Sequence, residues 1–305
     1  MEKKVDLSVN IAGISLKNPV IAASGTFGFG REYSSYFDLS RLGGIAVKGL
    51  TLRPRKGNPP PRIAETPAGI LNSVGLQNPG VHAFIRDEIP FLRRYDTAII
   101  ANASGNTVEE YEEMVRILSD ADVDAIELNL SCPNVKEGCM VFGSSASGIA
   151  QVVSRARKLC RKPLIVKLTP NVTDICELAR AAEAAGADAV SLINTLLGMA
   201  IDARTRRPVL GNITGGLSGP AVKPIALRMV YEVSRAVKIP VIGMGGITTG
   251  TDVVEFLLAG ASAVMIGTAG FVNPYAWVEA IDGLETYMLE NGVRSVSELI
   301  GGLIV

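Results

Sequence analysis

A cysteine beside a strand end is the first residue in this sequence with the means to do chemistry. Cys132 comes three residues after Asn129, which ends an apolar run in the stretch DAIELNLSCPNVKEGCMVFG. The chain has a single histidine, His82, so it can assemble neither a Ser-His-Asp triad nor a histidine-rich metal site. A base for proton abstraction would have to be a lysine, a carboxylate, a serine or a cysteine. Cys132 is a candidate because nearby positive charge lowers the pKa of a thiol, which is about 8.5 in a free cysteine.

Two lysines are candidate sources of that positive charge. Lys48 in AVKG and Lys167 in IVKLTP each stand at the end of an apolar run. A lysine in such a position commonly extends its ammonium group to solvent. Two of them at strand ends favour another role, in which an ammonium group stabilises an anion or a developing negative charge.

Asparagines form a second cluster of candidates. Asn102, Asn129 and Asn194 end predicted strands, and Asn72 lies in the connection LNSVGLQNPG. Asparagine is common in turns, which would explain any one of them. Each side chain offers both a donor and an acceptor. Four that converge would clamp a planar ligand containing amide or imide groups.

Glycine-rich turns predict a phosphate site. Gly245 and Gly246 follow the seventh predicted strand, Gly267 and Thr268 follow the eighth, and Gly219 opens a further helix. In a barrel, backbone N–H groups at these positions form the usual phosphate site. A Gly-x-Gly-x-x-Gly fingerprint after a strand is absent, so a Rossmann-type NAD site is not supported. The phosphate would belong to FMN or to a phosphorylated substrate.

The elements that must position these residues are eight short β-branched runs alternating with helical patterns. Runs that are apolar on both faces are typical of parallel strands covered by helices. The helix-to-strand joint AGADAVSLIN recurs as AGASAVMIGT, which favours a (β/α)8 TIM barrel over an open doubly wound sheet. We therefore predict a single barrel domain over residues 1–305. The predicted strands are 18–24, 44–49, 97–104, 124–130, 163–168, 188–194, 240–246 and 262–268.

The remaining segments complete this barrel. The alternating segment 4–17 predicts an N-terminal β-hairpin that closes the barrel bottom. Connections 50–96, 131–147 and 195–219 are too long for turns, and we expect them to be functional loops at the C-terminal face.

Helix boundaries are also readable from the sequence. Thr107 and Glu110 predict a capping box at the start of a helix. Gly186 and Gly260 predict left-handed caps at the ends of two others.

Bulk composition excludes several classes of protein. The 305 residues include 30 basic and 30 acidic side chains, so the basic excess expected of a nucleic-acid or membrane-surface protein is missing. No apolar run approaches the ~20 residues that span a bilayer, and no apolar segment typical of a signal peptide follows the N-terminal charges. The 4 cysteines form no Cys-x-x-Cys pair, which argues against zinc and iron–sulfur sites. We expect a cytoplasmic protein with reduced thiols.

Six motifs taken together resemble one enzyme family. LNLSCPNVKEG, LNSVGLQNPG, AASGTFGFG, VKLTPN, LINT and IGMGGI occur in the order and context of class 1B dihydroorotate dehydrogenase catalytic subunits. The resemblance covers essentially the whole chain. It implies an FMN-containing barrel that oxidises (S)-dihydroorotate to orotate in pyrimidine biosynthesis, with Cys132 as the base.

The resemblance also assigns binding residues. It implies that FMN contacts Ser24, Lys48, Gly49, Asn102, Asn129, Lys167, Ile193, Gly219, Gly245, Gly246, Gly267 and Thr268. It implies that the substrate is held by Lys48, Asn72, Ser73, Val74, Gly75, Leu76, Asn129, Asn194 and Thr195. A partner subunit with FAD and a 2Fe–2S cluster would pass the electrons to NAD⁺, in a heterotetramer built on a homodimer of this chain.

Other classes of the family differ in readable ways. Class 2 enzymes use a serine base and carry an N-terminal membrane extension, whereas this chain has Cys132. Class 1A enzymes are homodimers that reduce fumarate and also use a cysteine, so Cys132 does not exclude them. GLQNPG and SCPNVKEGCMVFG are more similar to class 1B. Cys139 stands where class 1B chains often have glycine, and we assign it no catalytic role.

Three alternatives stay open at this point. A phosphate-binding barrel without a flavin, an isomerase, aldolase or synthase, would use Lys48 or Lys167 for a Schiff base. A barrel without catalysis would serve as a binding or regulatory subunit, although the many polar strand ends argue against it. A flavoenzyme similar to dihydropyrimidine dehydrogenases would share the cysteine and asparagines but take a substrate without a carboxylate.

Overall fold

Eight parallel strands close into a barrel in the computed structural model, which describes residues 5–131 and 142–305. The strands follow one another around the barrel in chain order, and the last pairs with the first. The predicted (β/α)8 barrel is therefore confirmed, with every predicted strand present and slightly shorter than expected. The barrel strands are β3 (Val20–Ala22), β4 (Gly44–Ala46), β7 (Ala98–Ala103), β8 (Ala125–Asn129), β9 (Leu164–Lys167), β10 (Ala189–Leu192), β15 (Val241–Met244) and β16 (Ala263–Ile266).

Alternate residues of each strand face opposite sides of the barrel wall. On β8, Ile126 and Leu128 pack into the large apolar cluster shared with the helices. Ala125 packs instead into a second cluster inside the barrel, together with Ile165 and Ile242. Because side chains alternate with a period of two, Glu127 and Asn129 face the same interior as Ala125.

Helices cover the outside of the barrel. Their bounds are α1 (Val81–Ala83), a π-helical turn (Phe84–Glu88), α2 (Ile89–Leu92), α3 (Val108–Asp120), α4 (Ala146–Leu159), α5 (Ile175–Ala184), α6 (Lys223–Ala236), α7 (Gly250–Leu258), α8 (Ala269–Val272) and α9 (Ala276–Asn291). Short 3₁₀ helices span Tyr33–Ser35, Leu39–Arg41, Pro220–Val222 and Val296–Glu298.

The ends of these helices follow their capping residues. The Thr107 hydroxyl accepts the Glu110 N–H at the start of α3, as predicted. The return hydrogen bond differs from a capping box, because the Glu110 carboxylate accepts from the N–H of Asn106 and not of Thr107. Gly186 and Gly260 follow α5 and α7 with φ of 99° and 110°, which confirms both predicted caps.

A hairpin closes the N-terminal end of the barrel, as predicted. Strands β1 (Val9–Ile11) and β2 (Ile14–Leu16) pair antiparallel. Ile11, Ile14 and Leu16 are buried and pack into the interior cluster. The bottom of the barrel is therefore a packed apolar plug, and ligands must enter from the opposite end.

The long connections contain a second sheet that the sequence analysis missed. Connection 50–96 contains β5 (Ile63–Thr66) and β6 (Gly69–Asn72). Connection 195–219 contains β11 (Leu196–Met199) and β14 (Thr214–Ser218). They form one antiparallel sheet in the order β11-β14-β6-β5. A two-stranded ribbon of β12 (Ile201–Asp202) and β13 (Arg207–Pro208) extends it. We expected loops here, and the structure has a folded sheet in connections 50–96 and 195–219. Most of connection 131–147 lies outside the described residues.

Shortening one side chain of the plug should destabilise the barrel. Leu16 is 2% exposed, and Leu16→Ala would leave a cavity that the surrounding barrel residues cannot fill. We expect the free energy of unfolding to fall by about 2–5 kcal/mol in urea titrations. The control Leu303→Ala shortens a side chain that is 42% exposed and should change little. Equal effects of the two substitutions would contradict the packed plug.

Candidate active site

A deep cavity lies at the C-terminal ends of the barrel strands, on the side opposite the hairpin. It encloses about 1230 Å³ of space, including its open mouth. Almost all of the predicted binding residues in the described chain line it. They are Ser24, Lys48, Gly49, Asn72, Val74, Gly75, Leu76, Asn129, Lys167, Ile193, Asn194, Thr195, Gly219, Gly245, Gly246, Gly267 and Thr268.

Three predicted site residues do not appear in this lining. Asn102 is fully buried in the barrel wall behind Asn129. Ser73 is also fully buried, and its hydroxyl has no hydrogen-bond partner in the described part of the chain. Cys132, the predicted base, lies outside the described residues. His82 is exposed on α1, consistent with a surface residue.

A chain of hydrogen bonds connects the asparagines. Asn129 donates from Nδ2 to Oδ1 of Asn102 over 3.3 Å. The Ser131 N–H and hydroxyl both donate to Asn129 Oδ1, over 3.3 and 3.0 Å. Asn194 Nδ2 in turn donates to the Ser131 hydroxyl over 2.8 Å. The asparagines predicted from separate strand ends therefore act as one connected unit.

Lys167 places a buried cation in the cavity. Lys167 is 5% exposed and lines the cavity floor at the end of β9. Among residues 5–131 and 142–305, its ammonium group has neither a hydrogen bond nor an ion pair. A buried ammonium group without a partner is costly unless a ligand supplies negative charge or acceptors. Lys48 lies near Gly25 on another side, since a Cβ built on Gly25 would be 3.9 Å from Lys48 Nζ.

The opposite part of the cavity is made of backbone and hydroxyl groups. Gly245 and Gly246 have φ of 128° and 75°, in the region that favours glycine. A Cβ on Gly246 would come within 2.8 Å of the Lys223 backbone nitrogen, so a side chain does not fit. The Thr268 hydroxyl donates to that of Ser218 over 2.8 Å. Bare backbone beside paired hydroxyl groups is suited to a phosphate.

Asp252 holds the loop that carries these glycines. One carboxylate oxygen accepts three hydrogen bonds of 2.8 Å, from the N–H and hydroxyl of Thr248 and the N–H of Thr249. The other oxygen accepts from Lys223 Nζ over 2.5 Å. Burial alone would raise the pKa of the Asp252 carboxyl, but the hydrogen bonds from Lys223 and Thr248 outweigh it and lower the pKa to about 2.

The second sheet supplies the roof of the cavity. Asn72 ends β6 and pairs with Gly216 of β14. A Cβ on Gly216 would lie 1.9 Å from the Thr195 hydroxyl oxygen, so only glycine admits Thr195 at this place. Leu76 has φ of 55°, an unfavourable conformation for a residue with a side chain. Strained residues of this kind concentrate at ligand sites, and Leu76 lines the cavity.

Sequence reasoning missed several lining residues. Thr26, Ser218 and Thr248 add hydroxyl groups, Met244 and Met265 form the apolar floor, and Phe271 stands at the edge. The two methionines were readable, because each stands two residues before a rim residue of its strand and so shares its side of the wall. The contribution of Ser218 depends on the second sheet, which the sequence patterns did not predict.

Comparisons with known proteins agree on one family. The family model described as Dihydroorotate dehydrogenase matches residues 6–288. The chain belongs to the dihydroorotate dehydrogenase family. It is 59% identical over 300 residues to "Dihydroorotate dehydrogenase B (NAD(+)), catalytic subunit" of Alkaliphilus metalliredigens, covering 98% of this chain and 99% of that protein. The protein of the same name from Thermoanaerobacter pseudethanolicus is 58% identical over 301 residues, covering 99% and 100%.

A solved dihydroorotate dehydrogenase has the same fold. The crystal structure of DHODH from Eimeria tenella, in complex with ferulenol, superposes with a TM-score of 0.82 at 23% identity. The match covers 99% of this chain and 89% of that chain. At this identity, the likeness concerns the barrel fold alone.

The cavity fits the flavin on which the dihydroorotate dehydrogenase family depends. It joins a side-chain-free cradle suited to a phosphate, the buried ammonium group of Lys167 and amides suited to a planar polar ring. Within residues 5–131 and 142–305, no group of three or more histidine, cysteine, aspartate or glutamate side chains is placed to hold a metal ion. Of the described helices, none has the length and apolar character needed to cross a bilayer.

The contacts of Asp252 with Lys223, Thr248 and Thr249, which brace the glycine loop, should be sensitive to acid. A carboxyl with a lowered folded-state pKa stabilises the protein above its unfolded pKa, and this contribution is lost as the pH falls. For Asp252 the loss should run from about pH 4, near the ordinary value of 3.8, down to about 2. We expect Asp252→Asn to reduce the free energy of unfolding by about 1–3 kcal/mol at neutral pH.

Thermal unfolding of wild type and variant at a series of pH values checks this. The difference between them should shrink as the pH falls below about 4. Glu255→Gln is the control, because Glu255 also pairs with Lys223 but has a 39% exposed side chain. A difference between wild type and Asp252→Asn that does not change with pH would argue against the brace.

Proposed function

We propose that this chain is a dihydroorotate dehydrogenase catalytic subunit that oxidises (S)-dihydroorotate to orotate in de novo pyrimidine biosynthesis. The observation that carries the proposal is the cavity itself. It unites the Lys167 ammonium, which has no partner among the described residues, with the linked asparagines and the side-chain-free phosphate cradle. Identity of 58–59% to catalytic subunits of the same length supports the choice of reaction.

We propose FMN as the cofactor, bound within a single domain formed by residues 1–305. Gly219, Gly246 and Thr268 would hold its phosphate with backbone N–H and hydroxyl groups, because that wall carries no bulky side chains. The ring would lie near Lys167, whose ammonium group favours added negative charge. Bound FMN supplies the acceptor for the hydride that leaves the substrate. The full proposed set is Ser24, Lys48, Gly49, Asn102, Asn129, Lys167, Ile193, Gly219, Gly245, Gly246, Gly267 and Thr268.

The substrate would lie in the same cavity, between the asparagines and the roof. Asn72, Asn129 and Asn194 offer amide donors and acceptors that match the ring amides of dihydroorotate. Lys48 would bind its carboxylate, and Thr195 adds a hydroxyl. The segment 73–76 would cover the ring, held in place by the left-handed Gly75 and Leu76. Fixing both partners in this way makes the reaction effectively unimolecular.

Cys132 would remove the proton from carbon 5 of the substrate. It is the next residue after Ser131, whose hydroxyl links Asn129 and Asn194. A positively charged neighbourhood favours the thiolate, and Lys48 and Lys167 both line the cavity. Each of the other described cysteines is less suited. Burial raises the pKa of the Cys176 thiol, and Cys160 is buried against the Lys162 carbonyl oxygen.

The electrons would leave through another polypeptide. The similar proteins from A. metalliredigens and T. pseudethanolicus are named as NAD(+)-type catalytic subunits. We propose a partner subunit carrying FAD and a 2Fe–2S cluster that reduces NAD⁺, in a cytoplasmic heterotetramer around a homodimer of this chain. Fumarate reduction by the isolated chain, as in class 1A, is the alternative outcome.

Anaerobic addition of dihydroorotate to the purified protein tests the reaction. The protein should be yellow, and its visible flavin absorbance should bleach within the mixing experiment. Dihydrouracil should bleach it far more slowly, because it offers no carboxylate for Lys48 to bind. A colourless protein without FMN would favour a phosphate-binding lyase or isomerase and would contradict the proposal.

Cys132→Ala should remain folded and yellow while flavin reduction slows by roughly 10²–10⁴-fold, the range for a lost acid–base group. Rapid mixing with dihydroorotate measures the rate directly. Cys176→Ala is the matched control and should reduce at the wild-type rate. A near-normal rate for Cys132→Ala would mean that another residue is the base.

Reconstitution tests the proposed route of the electrons. The chain alone should transfer electrons from dihydroorotate to NAD⁺ at a negligible rate, because the described residues include no dinucleotide fingerprint or iron–sulfur site. Adding the FAD and 2Fe–2S subunit should restore NAD⁺ reduction and form a larger complex in size-exclusion chromatography. Efficient NAD⁺ or fumarate reduction by the chain alone would overturn this part of the proposal.

A further inference from the structure

A buried carboxylate stands at the inner end of the asparagine chain. Glu127 is fully buried and faces the barrel interior on β8. One of its oxygens accepts from Asn102 Nδ2 over 2.5 Å, and the other accepts from the Ser191 hydroxyl over 2.6 Å. Neither partner is a cation, and Glu127 forms no ion pair with the described residues. Keeping a carboxyl group here is costly, which implies that it does something an apolar residue would not.

Glu127 sets the direction of the hydrogen bonds around Asn102. A carboxylate only accepts, so Asn102 turns its NH₂ group toward Glu127 and its carbonyl toward Asn129. The Ser131 backbone sets the direction at the other end, because its N–H donates to Asn129 Oδ1 over 3.3 Å and its carbonyl accepts from Asn194 Nδ2 over 3.1 Å. The directions set from the two ends meet at Asn102, whose carbonyl accepts from the Asn129 amide.

Shape alone would not give this result. The two orientations of an asparagine amide occupy the same space and differ only in where the donor and acceptor stand. A ligand in the cavity meets Asn129 and Asn194, so the orientation of these amides decides which ring atoms they match. Glu127 selects the orientation of Asn102, and Asn102 in turn holds the Asn129 amide that lines the cavity.

We propose that Glu127 is a positioning residue that sets the hydrogen-bond polarity of Asn102, and through Asn102 holds Asn129 for the recognition of FMN and dihydroorotate. This rests on the proposed function, because that function supplies the ligands. Glu127 touches neither ligand. The strand register supports the assignment, since Lys167 of β9 is the register partner of both Asn129 and Ser191. The linked asparagines and the Lys167 ammonium group therefore stand at the same level of the barrel.

Exchanging the two chemical groups provides the test. Asn102→Asp places a carboxylate against the carboxylate of Glu127, with acceptors facing each other. The double variant Asn102→Asp with Glu127→Gln exchanges the two groups, so that the carboxylate stands at position 102 and the amide at position 127. Its new glutamine amide can donate to the new aspartate carboxylate, which still accepts from Asn129. The double variant keeps one carboxylate, similar volume and the original direction of every bond above position 102.

The affinity for FMN and orotate should depend on whether positions 102 and 127 present a donor to an acceptor, and not on the number of substitutions. We expect Asn102→Asp to weaken FMN and orotate binding by at least ~100-fold, since a buried like-charge contact disorders the chain. Glu127→Gln alone should weaken binding by roughly 3–10-fold, because the Asn102 amide can then face position 127 in either direction while the Ser131 N–H still fixes Asn129. The double variant should bind within about tenfold of wild type, and so far more tightly than Asn102→Asp.

Three measurements make the outcome decisive. FMN affinity is measured by flavin fluorescence quenching on titration of the apoprotein, and orotate affinity by the change in flavin absorbance of the loaded protein. Thermal unfolding of the ligand-free wild type, the two single variants and the double variant shows whether the second substitution also restores stability in the absence of a ligand. Ser191→Ala is the control, because it removes the other hydrogen bond to Glu127 but none of the hydrogen bonds that link the asparagines. It should lower stability and leave both affinities within about threefold of wild type.

The possible results separate the two proposals. A double variant that binds no better than Asn102→Asp, or that fails to fold, overturns the role of Glu127. So does a Ser191→Ala variant that loses as much affinity as Asn102→Asp. If wild type itself binds no orotate, the proposed function fails. In that case, rescue of thermal stability in the double variant still supports Glu127 as the group that sets polarity, and its absence rejects that role.

Discussion

Closure of parallel strands into a barrel decides where every polar side chain of this protein can stand. In a parallel barrel all strands end at the same rim, and alternate residues point into a shared interior. On β8 this puts Asn129 at the rim with Glu127 one step below it and Ala125 at the apolar floor. Residues far apart in the sequence, such as Lys48 and Asn194, meet because the barrel brings their strand ends to one face.

The interior is accordingly divided into two zones. Its lower half is apolar and sealed by the N-terminal hairpin, whereas its upper half holds Glu127, Asn102 and Lys167. Buried polar groups are tolerable when every one has a partner, and the chain from Glu127 to Asn194 provides this for the amides. Among the described residues, Lys167 has no such partner, and a ligand can supply one. The stability of the upper half and the binding of a ligand there are therefore linked.

Much of this arrangement was predictable from the sequence, because it rests on local patterns. The eight apolar runs, the caps at Gly186 and Gly260 and the polar strand ends each depend on a few neighbouring residues. The second sheet was missed because β5, β6, β11 and β14 are short and only partly buried, so their alternation is weak. Glu127 was also overlooked within AIELN, since the sequence does not show that its carboxylate reaches Asn102 and Ser191. Such contacts depend on the strand register around the barrel.

The brace at Asp252 has a consequence for the order in which the holoprotein is assembled. Its hydrogen bonds and its ion pair to Lys223 fix the backbone of the glycine loop using groups that belong to the protein. The conformational entropy of that loop is therefore lost when the chain folds, before any phosphate arrives. A ligand entering a preorganised cradle loses less entropy on binding. The folded apoprotein is accordingly a competent receptor, and the cofactor can be inserted after folding.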